Sequence, residues 1–398
     1  MIFCIGDAIV KRTQHYRMKR RVWKRVLLVT LVVIILFICS LCLIKHKPTT
    51  AVGETKTGKH TYKPLTKSIV KNLNQNVFLK NNDLAVDFDT QLQESGFVGT
   101  ALVVHHNRVI LQKGFGYANK AQNRLNDAQS LYQIASIQKG FTATLIMQQV
   151  RAGKLHLDTS LSQYYPNIPD ANQVTIKEML TMTSGLTEKA NANVFTTDAE
   201  NVAFDAKHTT VVSSPNWSYQ AINYRLLSGI LMQITHKNYS ELFNETFNQK
   251  YHLDVSDYKD FVRNKHRTIG YKDLDYSQLA SDSPLAYAME TGTGNMAMTT
   301  GNLYTFYRLL TDHVMLNENA LHTMWQHPVS SRYAAGLYHY DKYSTGHGVI
   351  LGFEPTVILT KNGQDAVILM SNVNTRGKSW QPLAKRLFTQ MTAIKIVN

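Results

Sequence analysis

Residues 43–398 contain no cysteine. The only three, Cys4, Cys39 and Cys42, crowd the N-terminal end. This excludes a disulfide framework and any cysteine-ligated metal centre from the bulk of the chain. Fifteen histidines are present, but none falls in H-x-x-x-H or H-E-x-x-H spacing, so no metal site is legible. No phosphate-cradling loop, long repeat or low-complexity tract occurs either, and no cofactor is expected. Acidic residues are few, 28 against 43 Lys and Arg, for a net charge of +15. The excess is uneven. Residues 1–48 hold ten Lys or Arg and one acid, leaving the remainder a net +6. A body so mildly basic is no nucleic-acid binder, but it is weakly attracted to anionic polymers and membranes.

One stretch lacks charge altogether. Val26–Ile44 is 19 uncharged residues, long enough to cross roughly 30 Å of hydrocarbon. Lys19, Arg20, Arg21, Lys24 and Arg25 precede it, and only Lys45, His46 and Lys47 follow. The heavier cluster should stay inside, placing the C-terminal body outside the cell. The run is too long for a secretory h-region, and no small-residue cleavage site follows, so it reads as an uncleaved single-pass anchor. The expected organisation is a basic cytoplasmic tail (1–25), a transmembrane anchor (26–44), a stalk (45–82) with a short helix near Ser68–Leu79, and a body (83–398). Met18 would itself make a conventional start.

In the body, 99–104 and 109–117 are β-rich around a turn at His106-Asn107. Helices are expected over Ile137–Ala152, with Gly153 past its end, and over Val174–Met182, Ala221–Ile234, Tyr239–Phe247 and Leu303–Leu310. Thr291–Asn295 is a Gly-rich loop. Val349–Phe353, Thr356–Thr360 and Asp365–Asn372 read as strands, the last two joined by an Asn-Gly type turn. Trp380–Met391 closes the chain as a helix. The fold class is therefore α+β: an antiparallel sheet built from both ends of the body, flanked by helices, with a helical lobe inserted.

Ser136 and Lys139 stand three residues apart where a helix should begin. At that spacing a hydroxyl and an amine share one face. A desolvated neutral amine takes the serine proton, and the helix N-terminus favours the oxyanion that follows.

The order of these elements and several short strings resemble the β-lactamase-related serine hydrolases, which include class C β-lactamases and low-molecular-mass penicillin-binding proteins. The resemblance runs from about Gly99 to about Asn374. It is carried by Gly114-Phe115-Gly116-Tyr117, Ser136-x-x-Lys139, Gly153-Lys154-Leu155-x-Leu157-Asp158, Val174–Leu186, Tyr219 with Asn223-Tyr224, Gly292-x-Gly294-Asn295 and Gly352-Phe353. It implies that Ser136 is the acylated nucleophile, Lys139 its base and Tyr219 a proton shuttle. It also implies an oxyanion hole from the N–H groups of Ser136 and Val349, and substrate contacts from His347, Gly348, Gly294 and Asn295.

Two positions depart from the family pattern. Ala221 replaces the asparagine two residues after the tyrosine. The K-T-G triplet falls on Gly346-His347-Gly348, or on Ser344-Thr345-Gly346 in a shifted alignment, and its cation is missing. That cation binds a substrate carboxylate, so its loss favours substrates without one. A branch with the same anchor, basic charge and relaxed motifs acts on D-alanyl esters of teichoic acids. The expected substrate is thus a cell-wall polymer, teichoic acid or peptidoglycan stem peptide. The alternatives are a D,D-carboxypeptidase or penicillin-binding protein, and a catalytically inactive wall-binding sensor.

Overall fold

The computed structural model describes residues 73–190, 197–212, 216–375 and 377–396. The expected tail, the Val26–Ile44 anchor and most of the stalk lie outside them. No helix among the described residues is long and apolar enough to cross a membrane.

An eight-stranded antiparallel sheet organises the body. Its strands are β1 (Val77–Phe78), β2 (Gly99–His105), β3 (Arg108–Phe115), β4 (Tyr333–Ala334), β5 (Leu337–His339), β6 (Tyr343–His347), β7 (Glu354–Thr360) and β8 (Ala366–Ser371). The order is β1-β3-β2-β8-β7-β6-β5-β4, so strands from the two ends of the body meet where β2 pairs with β8. The α+β layout is as expected.

Alternation along the strands splits the core into two layers. Leu102, Val104, Ile368 and Met370 face the inserted helical lobe. Ala101, Val103, Val367 and Leu369 face the outer layer. That layer is formed by α1 (Asp83–Glu94), capped by the Asn82 side chain, and by the last helix, α8 (Gln381–Thr392).

The lobe contains α2 (Gln138–Arg151), α3 (Ile176–Thr181), α4 (Asp198–Lys207), α5 (Ile222–Thr235) and α6 (Thr300–Thr311), followed by α7 (Glu318–Trp325). Helix α2 runs through its centre. Phe141 stacks on Phe306 at 3.6 Å between ring centroids and packs against Phe243 and Phe247. Thr175 and Glu178 close a capping box on α3, and Met182 ends it in the left-handed region, so the stop comes one residue before Thr183.

Three expectations need correction. Val349–Phe353 is not a strand. Leu351 (φ 42°) and Gly352 (φ 88°) reverse the chain there, and Ile350 and Phe353 bond each other across the turn. The strand lies earlier, at Tyr343–His347, where Ser, Thr, Gly and His gave no hydrophobic alternation. No helix lies in the described part of Ser68–Leu79, since Val77–Phe78 is an edge strand on β3. The folded body also starts earlier than residue 83: Leu73 is buried, and its carbonyl accepts from the Gln112 side chain.

Strand β5, between β4 and β6, carries a test of stability against pH. His339 is 2% exposed, with Nε2 3.0 Å from the Ala334 carbonyl and Nδ1 3.0 Å from Ser344 Oγ. A carbonyl only accepts, so the proton sits on Nε2. Burial, with the Lys361 charge second, pushes its pKa down to about 3. The unfolded chain takes up a proton below about pH 6.5 that the folded chain refuses. Stability is therefore complete above that pH and falls as pH drops toward 3, by about 1.4 kcal/mol for each pH unit. Denaturant titrations between neutrality and pH 4 should show this slope, and a His339→Gln variant should lack it. Parallel curves for the two proteins would contradict the assignment.

Candidate active site

Ser136 sits in a 3-10 turn, Ala135–Ile137, that runs directly into α2. A 3-10 turn eclipses positions i and i+3. Lys139 Nζ accordingly lies 3.0 Å from Ser136 Oγ. Its second partner is the Thr293 carbonyl at 3.4 Å. Lys139 is 1% exposed, and among the described residues no carboxylate is paired with it. Its polar neighbours are thus neutral oxygens.

The turn is held from two sides. Ala135, before Ser136, has φ 46°, a left-handed conformation that costs a non-glycine residue about 1 kcal/mol or more. Behind it, Ile134 N–H donates to the Met296 carbonyl, and the Gln138 amide donates to Asn295 Oδ1 at 2.8 Å while accepting from Met296 N–H at 2.9 Å. In front stands Gly348. A Cβ there would meet Ala135 Cβ at 2.7 Å and Ser136 N at 2.8 Å, so only glycine lets the end of β6 rest on the Ser136 turn.

A cleft of about 470 Å³ opens over Ser136. Tyr219, His347, Gly348 and Val349 line it, as do Tyr333 and Tyr338. Tyr219 lays its ring face toward Lys139, with Nζ 5.2 Å from the centroid. The described contact is therefore the amine over the ring face, without a phenol-to-amine hydrogen bond. Among the described residues, neither Ser136 N–H nor Val349 N–H has a hydrogen-bond acceptor.

Gly294 and Asn295 are placed otherwise. Gly294 packs on the backbone of Ala135. Asn295 is buried on Gln138 and borders a separate cavity with Asp198 and Tyr287. Both lie behind Ser136 rather than in the cleft over it. Ala221 adds no polar group, and the nearby Asn223 turns inward to accept from Ser184 Oγ at 2.6 Å.

The missing triplet cation has a steric counterpart. A Cβ at Gly346 would stand 2.8 Å from Leu337 Cδ2 and 3.0 Å from Val357 Cγ1. His347 instead bonds Glu354, Nε2 to Oε1, at 3.1 Å. Burial opposes charge on Glu354, but donors from His347, Ser379, Trp380 N–H and Asn374 outweigh it and hold the carboxyl below the usual range. An ionised carboxylate only accepts, so Nε2 carries a proton.

Sequence reading missed the Thr293 carbonyl, the Gln138 clamp and Glu354. It also missed Gln381 and Lys385, which α8 brings to the cleft. These contacts join segments far apart in the chain, and no local pattern marks them. His105, His106 and Asp365 also converge, their ligand-type atoms lying within 4.8 Å of one another. His105 is four residues along β2 from Ala101, which shares a cross-strand row with His347, so this cluster sits at the other end of the sheet. Hydrogen bonds from His105 and the His106 N–H to Asp365 account for it.

The Beta-lactamase family model matches residues 84–389. The chain belongs to the beta-lactamase family. PbpX of Bacillus subtilis (strain 168), which bears a penicillin-binding-protein name, is 28% identical to this beta-lactamase-family chain over 335 residues, 84% of each. Flp of Staphylococcus aureus (strain NCTC 8325 / PS 47) is 24% identical over 320 residues, 74% of this chain but only 64% of Flp. The crystal structure of FmtA from Staphylococcus aureus aligns with TM-score 0.72 at 18% identity, covering 83% of this chain and 98% of FmtA. A class C beta-lactamase aligns with TM-score 0.64 at 15% identity, covering 81% and 99%. At these identities the two structural likenesses establish a β-lactamase/transpeptidase-like fold.

Proposed function

We propose that this chain is an extracytoplasmic serine hydrolase that works through an acyl-enzyme on Ser136, and that its acyl donor is a D-alanyl ester of a wall polymer. The observation that carries the reading is the 3.0 Å contact between Ser136 Oγ and the buried Lys139 Nζ at the wall of an open cleft. Ser136 Oγ attacks the ester carbonyl and its proton passes to Lys139. The oxyanion is received by the two acceptor-free N–H groups, those of Ser136 and Val349. As the C–O bond breaks, the leaving alkoxide takes a proton from Lys139, and the relay is assigned to Tyr219, which lines the same cleft. Water then attacks the acyl carbonyl and releases D-alanine.

An ester rather than a free-carboxylate substrate is favoured by the triplet. Gly346 has no space for a longer side chain, and His347 is committed to Glu354. Outward placement follows from the charge asymmetry around Val26–Ile44.

The test is to incubate the chain with D-alanylated teichoic acid and count free D-alanine against a Ser136→Ala variant. Release should depend on Ser136 almost entirely, and equal release from both proteins ends the proposal. The likeness to PbpX supports a second reading, a penicillin-binding D,D-peptidase. Covalent labelling of Ser136 by a fluorescent penicillin would favour it.

A further inference from the structure

After Asp365 the sequence has no Asp or Glu, yet it carries Arg376, Lys378, Lys385, Arg386 and Lys395. Helix α8 places two of these at cavities. Lys385, with Gln381, lines the cleft that contains Ser136. Lys385 and Arg386 also line a groove of about 350 Å³ along the same helix, with Gln390 and Ile396. Lys385 is the residue common to both. It is half-buried, and among the described residues it has neither a hydrogen-bond nor an ion-pair partner. Arg386 makes one neutral contact, Nε to Gln91 Oε1 at 2.9 Å. The Asp87 carboxylate, which shares Gln91 with Arg386, accepts from the amides of Gln91 and Gln390 and pairs with neither cation.

We infer that the C-terminal helix forms a binding track for a linear phosphodiester polymer, which leaves the catalytic cleft past Lys385 and continues over Arg386 toward Lys395. Charge and shape carry this. A partly buried, unpaired lysine is held against water at some cost unless an anion completes it. Successive cations along a groove fit a substrate with repeated negative charge, whereas a short neutral ester reaches only the first of them. The track also stands in for the missing triplet lysine: the cation is supplied beyond the strand and reads the polymer backbone rather than a terminal carboxylate.

This inference deepens the wall-polymer reading, so its test avoids turnover. Full-length Ser136→Ala protein is titrated with soluble poly(glycerol phosphate) stripped of D-alanine, at low and at physiological salt. Adding Lys385→Gln and Arg386→Gln should weaken binding about tenfold and flatten its salt dependence. Adding Lys154→Gln and Lys207→Gln, two exposed lysines of the helical lobe, should leave the affinity unchanged. Equal affinity in the α8 variant overturns the track, as does an equal loss in the lobe variant, which would mark attraction by net charge alone. Binding to phosphatidylglycerol vesicles but not to the soluble polymer overturns it in favour of bilayer contact. Polymer binding without Ser136-dependent D-alanine release sinks only the esterase reading, and release with unaltered binding sinks only the track.

Discussion

A Lys139→Met variant should fold normally and form its acyl-enzyme roughly 10²–10⁴-fold more slowly than the native chain, the usual contribution of a positioned base. Methionine preserves the length and flexibility of the side chain. It removes an amine that is 1% exposed and has only neutral oxygens as polar neighbours. The exchange leaves the Thr293 carbonyl without its donor, at about 1–3 kcal/mol, but also ends the burial of an amine that has no charged partner, so the net change in stability should be small. The melting temperature should therefore hold while the chemistry fails. Intact-mass measurement of acylation over time, using an activated D-alanyl ester, reads the rate directly. Native-like acylation by a folded Lys139→Met protein would remove Lys139 from the mechanism. Ser136→Ala should show no mass adduct at all, which fixes the baseline.

Gly348→Ala should cost nearly as much from a position with no chemistry of its own. The added Cβ would fall 2.7 Å from Ala135 Cβ and 2.8 Å from Ser136 N. Carbon atoms do not tolerate those separations, so the end of β6 or the nucleophile turn must move. Either movement takes the Val349 N–H out of line with the Ser136 N–H. Losing one oxyanion donor lowers turnover by about 10²–10³-fold. Overpacking itself should cost about 1–3 kcal/mol, which the large two-layer core can absorb. The pattern that supports this account is a collapsed kcat with a modest fall in melting temperature. An unchanged acylation rate would show that the strand end does not shape the site.

The residues that sequence made visible are those whose neighbours lie close in the chain. Ser136 and Lys139 are three apart and needed only a helix start. The hairpin at His106-Asn107 shows in its alternation, and both turn residues indeed have positive φ. The wall formed by β6 was invisible for a physical reason. Only Tyr343 reaches the core, while Ser344 bonds His339 and Lys361 and Thr345 and His347 line the cleft, so Tyr343–His347 carries little hydrophobic pattern. The apolar run just after it drew the strand assignment, although Gly352 and Leu351 turn the chain there. Local rules are most often broken at functional sites, because selection there serves chemistry rather than pattern. Glu354 and Lys385 illustrate the other barrier. One is explained by the four donors around its carboxylate, the other by two adjoining hollows, and neither environment is written within a few residues of either side chain.

The dependence of Ala135 on Gly348 has a consequence for how the protein matures. Gly348, in the connection between β6 and β7, packs on the Ala135–Ser136 backbone from a point far along the chain. During synthesis the hydroxyl and the amine emerge early, while the strand that locks them arrives near the end. A nascent chain that stops short of Gly348 therefore has the hydroxyl and the amine but not the strand end that packs on their turn, and it should show no Ser136-dependent acylation.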